Sequence, residues 1–176
     1  MERFAVKRGL EKSIGGNAGL AEIAAEYFEN VSADNDGVFN GSFGILTNVT
    51  GHFGEDGKLA VDVEQMKGGE LEVLLSSEGG TEKAMESRRR WSSFLDKVTG
   101  YNGKQRGDKA KEWAKKASKA KSAISAAKHF MEMSENITDH QRSQANAIID
   151  EIESLLGANE NTKAAGRAEK LNKIFN

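Results

Sequence analysis

The sequence predicts an α+β fold: β-α-β-β-β-α with an antiparallel meander sheet covered by helix, then a three-helix C-terminal tail. Two periodicities carry that reading. Apolar residues alternate with period two between residues 39 and 75, and from Thr81 onward they recur at helical spacing. A third observation separates the two halves. Residues 1–80 hold 6 Lys/Arg and 14 Asp/Glu, net −8, whereas residues 81–128 hold 14 and 5, net +9. The formal net charge of −2 hides this asymmetry.

A first strand is expected at residues 4–7, stopped at Gly9, with a loop through Gly15 and Gly16. Leu20, Ile23, Ala24, Tyr27 and Phe28 then follow helical spacing, with Asn17 placed to cap the start. Asp34-Asn-Asp-Gly37 is a turn signal. Phe39, Phe43, Ile45, Val49 and Phe53 share one strand face against Asn40, Ser42, Asn48 and His52, and Leu59, Val61, Val63 and then Leu71, Val73, Leu75 continue the alternation. Glu55-Asp56-Gly57 and Lys67-Gly68-Gly69 read as three-residue turns ending in a left-handed glycine. That register pairs Phe53 with Leu59, Val49 with Val63, Val63 with Val73 and Val61 with Leu75. One residue of slip would turn Val73 outward. The meander has one oily face, which the first helix is expected to cover.

From Thr81 a helical stripe runs through Ala84, Trp91, Phe94, Leu95 and Val98 and ends at Thr99-Gly100. Ala110, Trp113, Ala117, Ala120, Ile124, Ala127 and Met131 then step by three and four, a heptad seam of mostly alanine that lets a partner helix approach closely. Thr138-x-x-Gln141 is a capping box opening a helix through Ala145, Ile148, Ile149, Ile152, Leu155 and Leu156, stopped at Gly157. A last helix uses Ala164, Ala168, Leu171, Ile174 and Phe175. The expected division is an α+β domain over 1–106 and a helical extension over 107–176.

Composition excludes several classes. There is no cysteine, so neither a disulfide framework nor a thiolate metal site can form. No apolar run approaches a membrane span and no secretory h-region follows Met1, which points to a cytoplasmic address. His52, His129 and His140 are not spaced as metal ligands, and no nucleophile elbow is present. The expectation is a non-enzymatic protein with no metal or cofactor.

Lys7-Arg8-Gly9, Phe43-Gly44-Ile45-Leu46, Gly57-Lys58-Leu59-Ala60-Val61, and Phe94-Leu95 with Thr99-Gly100-Tyr101, Lys104 and Arg106 together resemble a family of small archaeal proteins of unknown function. The resemblance covers roughly residues 1–107, and the Thr-Gly-Tyr-x-x-Lys-x-Arg stretch is its most specific part. It implies a fold and an archaeal origin but no chemistry.

The candidate site is the basic region 88–121. Lys111, Lys115 and Lys119 form an i, i+4, i+8 stripe opposite the alanine seam, Arg89 and Arg90 lie on the preceding helix, and Lys104 and Arg106 occupy the connection. Between Thr99 and Lys121 only Asp108 and Glu112 compensate, whereas an ordinary solvated face mixes signs. Tyr101 is the aromatic best placed to stack on a base; Trp91 and Trp113 lie on apolar stripes and read as core. Gly15-Gly16-Asn17-Ala18-Gly19 lacks the Lys-Ser/Thr of a phosphate loop and reads as helix entry. The leading expectation is binding of nucleic acid, or of an RNA–protein assembly, through residues 88–121. The alternatives are self-association or protein binding through the alanine seam and tail, and a small ligand held between helix and sheet.

Overall fold

The computed structural model describes residues 1–175 and divides into two compact units, Met1–Gly107 and the helical remainder from Asp108. The first unit is α+β. Its strands are β1 (Glu2–Phe4), β2 (Glu29–Ala33), β3 (Phe39–Phe43), β4 (Leu46–Phe53) and β5 (Leu59–Gln65). They form one antiparallel sheet in the order β1-β5-β4-β3-β2. Helices α1 (Leu10–Ile14) and α2 (Gly16–Tyr27) precede β2, and α3 (Gly68–Ser76) and α4 (Gly80–Thr99) follow β5. Phe39, Phe43, Ile45, Val49, Phe53, Leu59 and Val61 bury one sheet face against Leu20 and Ala24 of α2 and Ala84, Phe94, Leu95 and Val98 of α4.

Phe94 sits at the centre of this core. Its ring packs edge-on against Phe28 at 5.1 Å, Phe39 at 5.6 Å and Tyr27 at 6.0 Å, and stacks on Trp91 at 5.9 Å. A change to alanine there costs about 3–5 kcal/mol by the usual range for buried aromatics.

The hairpin between β4 and β5 follows the expected register. Phe53 faces Leu59 and Val49 faces Val63, and the turn closes through Gly57 at φ 69°. Asp34 organises the turn before β3, its carboxylate accepting from the backbone N–H of Asp36 and Val38.

Several expectations are corrected. Residues 71–75 are not a third meander strand but part of α3, so the pairings of Val63 with Val73 and of Val61 with Leu75 do not form. Val73 is 74% exposed, and the positive φ falls on Gly68 rather than Gly69. Leu71 and Leu74 pack on the core, so their i, i+3 spacing overrides the period-two alternation. Residues 39–53 are two strands, because the chain reverses at Gly44 (φ 56°) and sets Phe43 against Leu46. The first strand lies at Glu2–Phe4 rather than residues 4–7, and β2 and α1 are additional. Asn17 does not cap α2. Its Oδ1 accepts from Phe53 N–H at 2.6 Å, tying the helix to the end of β4.

The second unit is helical. Helix α5 (Gly103–Met133) begins in the first unit and continues into the second, where α6 (Asp139–Gly157) and α7 (Asn161–Ile174) follow. Thr138 and Gln141 form the expected capping box. Ala120, Ile124, Ala127 and Met131 are buried with Ala145, Ile149, Ile152, Ala164, Ala168 and Leu171 in one core. The seam therefore finds its partner helices within the chain over that stretch. Ala110, at its start, is exposed.

Candidate nucleic-acid interface

The corner between α4 and α5 is built by the stretch that makes the resemblance specific. Thr99 is fully buried; its hydroxyl donates to Leu95 O at 2.6 Å and accepts from Tyr101 N–H at 3.2 Å. Gly100, at φ 72°, ends α4, and its N–H donates to Asp96 O. A Cβ there would lie 3.0 Å from Leu10 Cδ2 and 3.1 Å from Lys7 Cβ, so glycine answers both backbone and space. Asn102 and Gln105 exchange side-chain-to-backbone hydrogen bonds at 2.9 and 3.0 Å and open α5 as a capping box.

Arg106 faces inward. It is 9% exposed, pairs with the Asp96 carboxylate and donates to Tyr101 O at 2.6 Å. Thr99, Gly100 and Arg106 thus hold the corner closed, which leaves the half-buried Tyr101 and the exposed Lys104 as its outward members.

On α4 the two arginines diverge. Arg89 is exposed and has no ion pair among the described residues. Arg90 pairs with Glu86 at 2.7 Å, donates to Tyr27 O at 3.2 Å and lies 3.8 Å above the Phe43 ring. Like Arg106, it is engaged within the fold.

In the second unit Lys111 and Lys115 are exposed, Lys111 with Asp108 only at 4.0 Å. Lys119 pairs with Glu169 of α7 at 2.7 Å. Hydrogen bonds from Lys109 and Lys116 hold the Glu112 carboxyl below its ordinary value, and the hydrogen bond from Lys119 does the same at Glu169. Glu169, 50 residues from Lys119, is the neutralising group that local counting along the helix cannot see.

Of the cations between residues 88 and 121, Arg88, Arg89, Lys97, Lys104, Lys115 and Lys121 are all exposed and without an ion pair among the described residues. Elsewhere, Gly15-to-Gly19 is a tight corner: Gly19 is buried, and a Cβ on it would fall 1.7 Å from Ile14 O. Among the described residues no group of three His, Asp or Glu could hold a metal ion, and no helix is long and apolar enough to cross a membrane.

These features define an α+β domain whose most specific sequence stretch is an architectural corner, followed by a helical unit. Residues 1–112 match the model of the Domain of unknown function (DUF5611), and the chain belongs to that family. No curated protein and no solved structure matches it.

Proposed function

We propose that this chain is a non-enzymatic, cytoplasmic module of archaeal origin that binds the backbone of nucleic acid through the basic region 88–121. The observation that carries the reading is the set of exposed cations without ion pairs, Arg88, Arg89, Lys97, Lys104, Lys115 and Lys121, in a chain whose net charge is negative. Unpaired surface cations release condensed counterions from phosphate without first breaking an internal contact. Arg90 and Arg106 are not assigned contacts, because each would have to leave its place in the fold.

The test is a binding titration across salt concentrations with single-stranded and duplex RNA and DNA. Log K falls linearly with log salt, at about −0.9 per neutralised phosphate for duplex DNA and about −0.7 for single strands. Changing Arg89, Lys115 and Lys121 together to Gln flattens that slope and weakens binding similarly across sequences. Tight binding that ignores salt, or no measurable binding at low salt, overturns the proposal. Loss of self-association in the triple variant, without any nucleic-acid binding, favours the protein-interaction reading instead.

A further inference from the structure

Lys7 and Arg8 lie far from the basic region in sequence, in the net acidic half of the chain, yet the fold places them beside it. The backbone N–H of Lys7 donates to Thr99 O at 2.9 Å, and Leu10 N–H returns to Lys7 O at 3.0 Å. The turn from Lys7 to Leu10 is thereby fastened onto the end of α4, with Gly9 at φ 83° allowing the reversal. The Lys7 side chain runs along Gly100, the residue before Tyr101: a Cβ at Gly100 would be 3.1 Å from Lys7 Cβ and 3.4 Å from its Cδ.

Lys7, Arg8 and Lys104 are exposed and have no ion pair among the described residues, and Tyr101 is half-buried. The nearby acid Asp96 is occupied by Arg106, and the Glu11 carboxylate points instead toward Gly57, 3.4 Å from where a Cβ would stand. Asp96 is thereby already paired, and Glu11 forms no ion pair with Lys7 or Arg8. The Tyr101 backbone is held at both ends, by the Thr99 hydroxyl on its N–H and by Arg106 on its carbonyl. With its backbone held, the residue has less freedom to lose when its ring stacks on a base.

We propose that Lys7, Arg8, Tyr101 and Lys104 form a binding site for a single-stranded nucleic-acid segment, the cations holding phosphates on either side of a base stacked on Tyr101. This rests on the nucleic-acid reading above and adds the substrate form and two residues outside region 88–121. A duplex keeps its bases stacked on each other, so it gains only the phosphate contacts.

The experiment compares the full chain with four variants by fluorescence anisotropy, using a mixed-sequence single-stranded RNA and its duplex. Tyr101→Ala weakens single-strand binding by about 5- to 150-fold, the worth of one stacked base, and leaves duplex binding nearly unchanged. Lys7→Gln with Arg8→Gln lowers the single-strand salt slope by about 0.7 for each phosphate no longer neutralised. Both side chains are exposed and the Lys7 clasp uses its backbone, so the fold survives; Arg8→Glu provides a second variant that weakens binding further. Equal weakening on single strand and duplex in Tyr101→Ala overturns the site. So does full binding by the Lys7/Arg8 variant when the Arg89/Lys115/Lys121 variant no longer binds, an outcome that leaves the broader reading standing. No binding by the unmodified chain at low salt overturns both.

Discussion

Arg106→Ala separates an architectural role for the corner from a binding role. The guanidinium is almost fully withdrawn from solvent and satisfies two acceptors, the Asp96 carboxylate and Tyr101 O. Breaking a fully buried pair costs about 3–5 kcal/mol. Asp96 is 46% exposed, so its stranded carboxylate regains water and the charge part of that cost is discounted. The Tyr101 carbonyl loses a charge-assisted bond worth about 1.5–3 kcal/mol, and truncating the stem leaves unfilled space. The sum is about 2–4 kcal/mol, which in a domain near 100 residues lowers the melting temperature by about 10–20 °C. The assay is urea and thermal unfolding followed by Trp91 fluorescence in a Trp113→Phe background, so that only the first unit reports. Arg106→Lys restores little, since a lysine cannot present the same planar fork to two acceptors. Lys104→Ala, two residues earlier but exposed, moves stability by less than about 0.5 kcal/mol. An Arg106→Ala protein with unchanged unfolding would refute the corner argument and return this arginine to the free surface cations.

Other outcomes follow from the same packing. Ala120 is fully buried in the helical core, so Ala120→Leu costs about 1–3 kcal/mol by overpacking, read as a lower midpoint of the helical signal in urea; an unchanged midpoint would mean the seam is loosely packed. The carboxyls of Asp56, Glu112 and Glu169 all sit below their ordinary values in the folded chain. For Asp56, burial pushes the carboxyl up, but the hydrogen bonds of Lys58 and the charges of Lys58 and Arg3 outweigh it. The unfolded chain therefore binds more protons in acid. The stabilisation from these groups is complete above their ordinary values, 3.8 for Asp56 and 4.5 for the two glutamates, and is lost as pH falls through the lowered ones. Melting temperature should fall on acidification below about pH 4.5, less steeply in Glu169→Gln, and a flat profile would contradict the assigned ion pairs.

What could be read from the sequence was whatever depends on neighbours along the chain. Glu55-Asp56-Gly57 set the β4–β5 register because the turn demands a left-handed glycine at one place. Thr138 and Gln141 announced α6, and the apolar positions of α6 and α7 are those the core uses. Residues 71–75 were not readable, since Leu71, Val73 and Leu75 satisfy period two while Leu71 and Leu74 satisfy a helix, and five residues cannot arbitrate. Strand β2 lies at the sheet edge with Asn30 at φ 55° and a register shift, so it has no alternation to detect. At the candidate site, the wheel turned Lys111 and Lys115 outward and both are exposed, whereas Lys104 and Arg106, expected in the connection, lie in the first turn of α5. The inward turn of Arg106, the stacking of Arg90 on Phe43 and the Lys119–Glu169 pair all depend on partners that only folding brings near. Lys7 and Arg8 were visible only as part of a short match, because nothing local predicts that the turn after β1 will be fastened to Thr99.

The two apolar cores have no residue in common: one ends its contributions at Val98, and the other begins at Ala120. The family match stops at residue 112, between them. The sheet aromatics and the alanine seam thus draw on separate stretches of the chain, one before residue 99 and the other after residue 119. In hereditary terms, the text this chain shares with its family is the sheet and its corner, and the core of the helical stretch is written outside it.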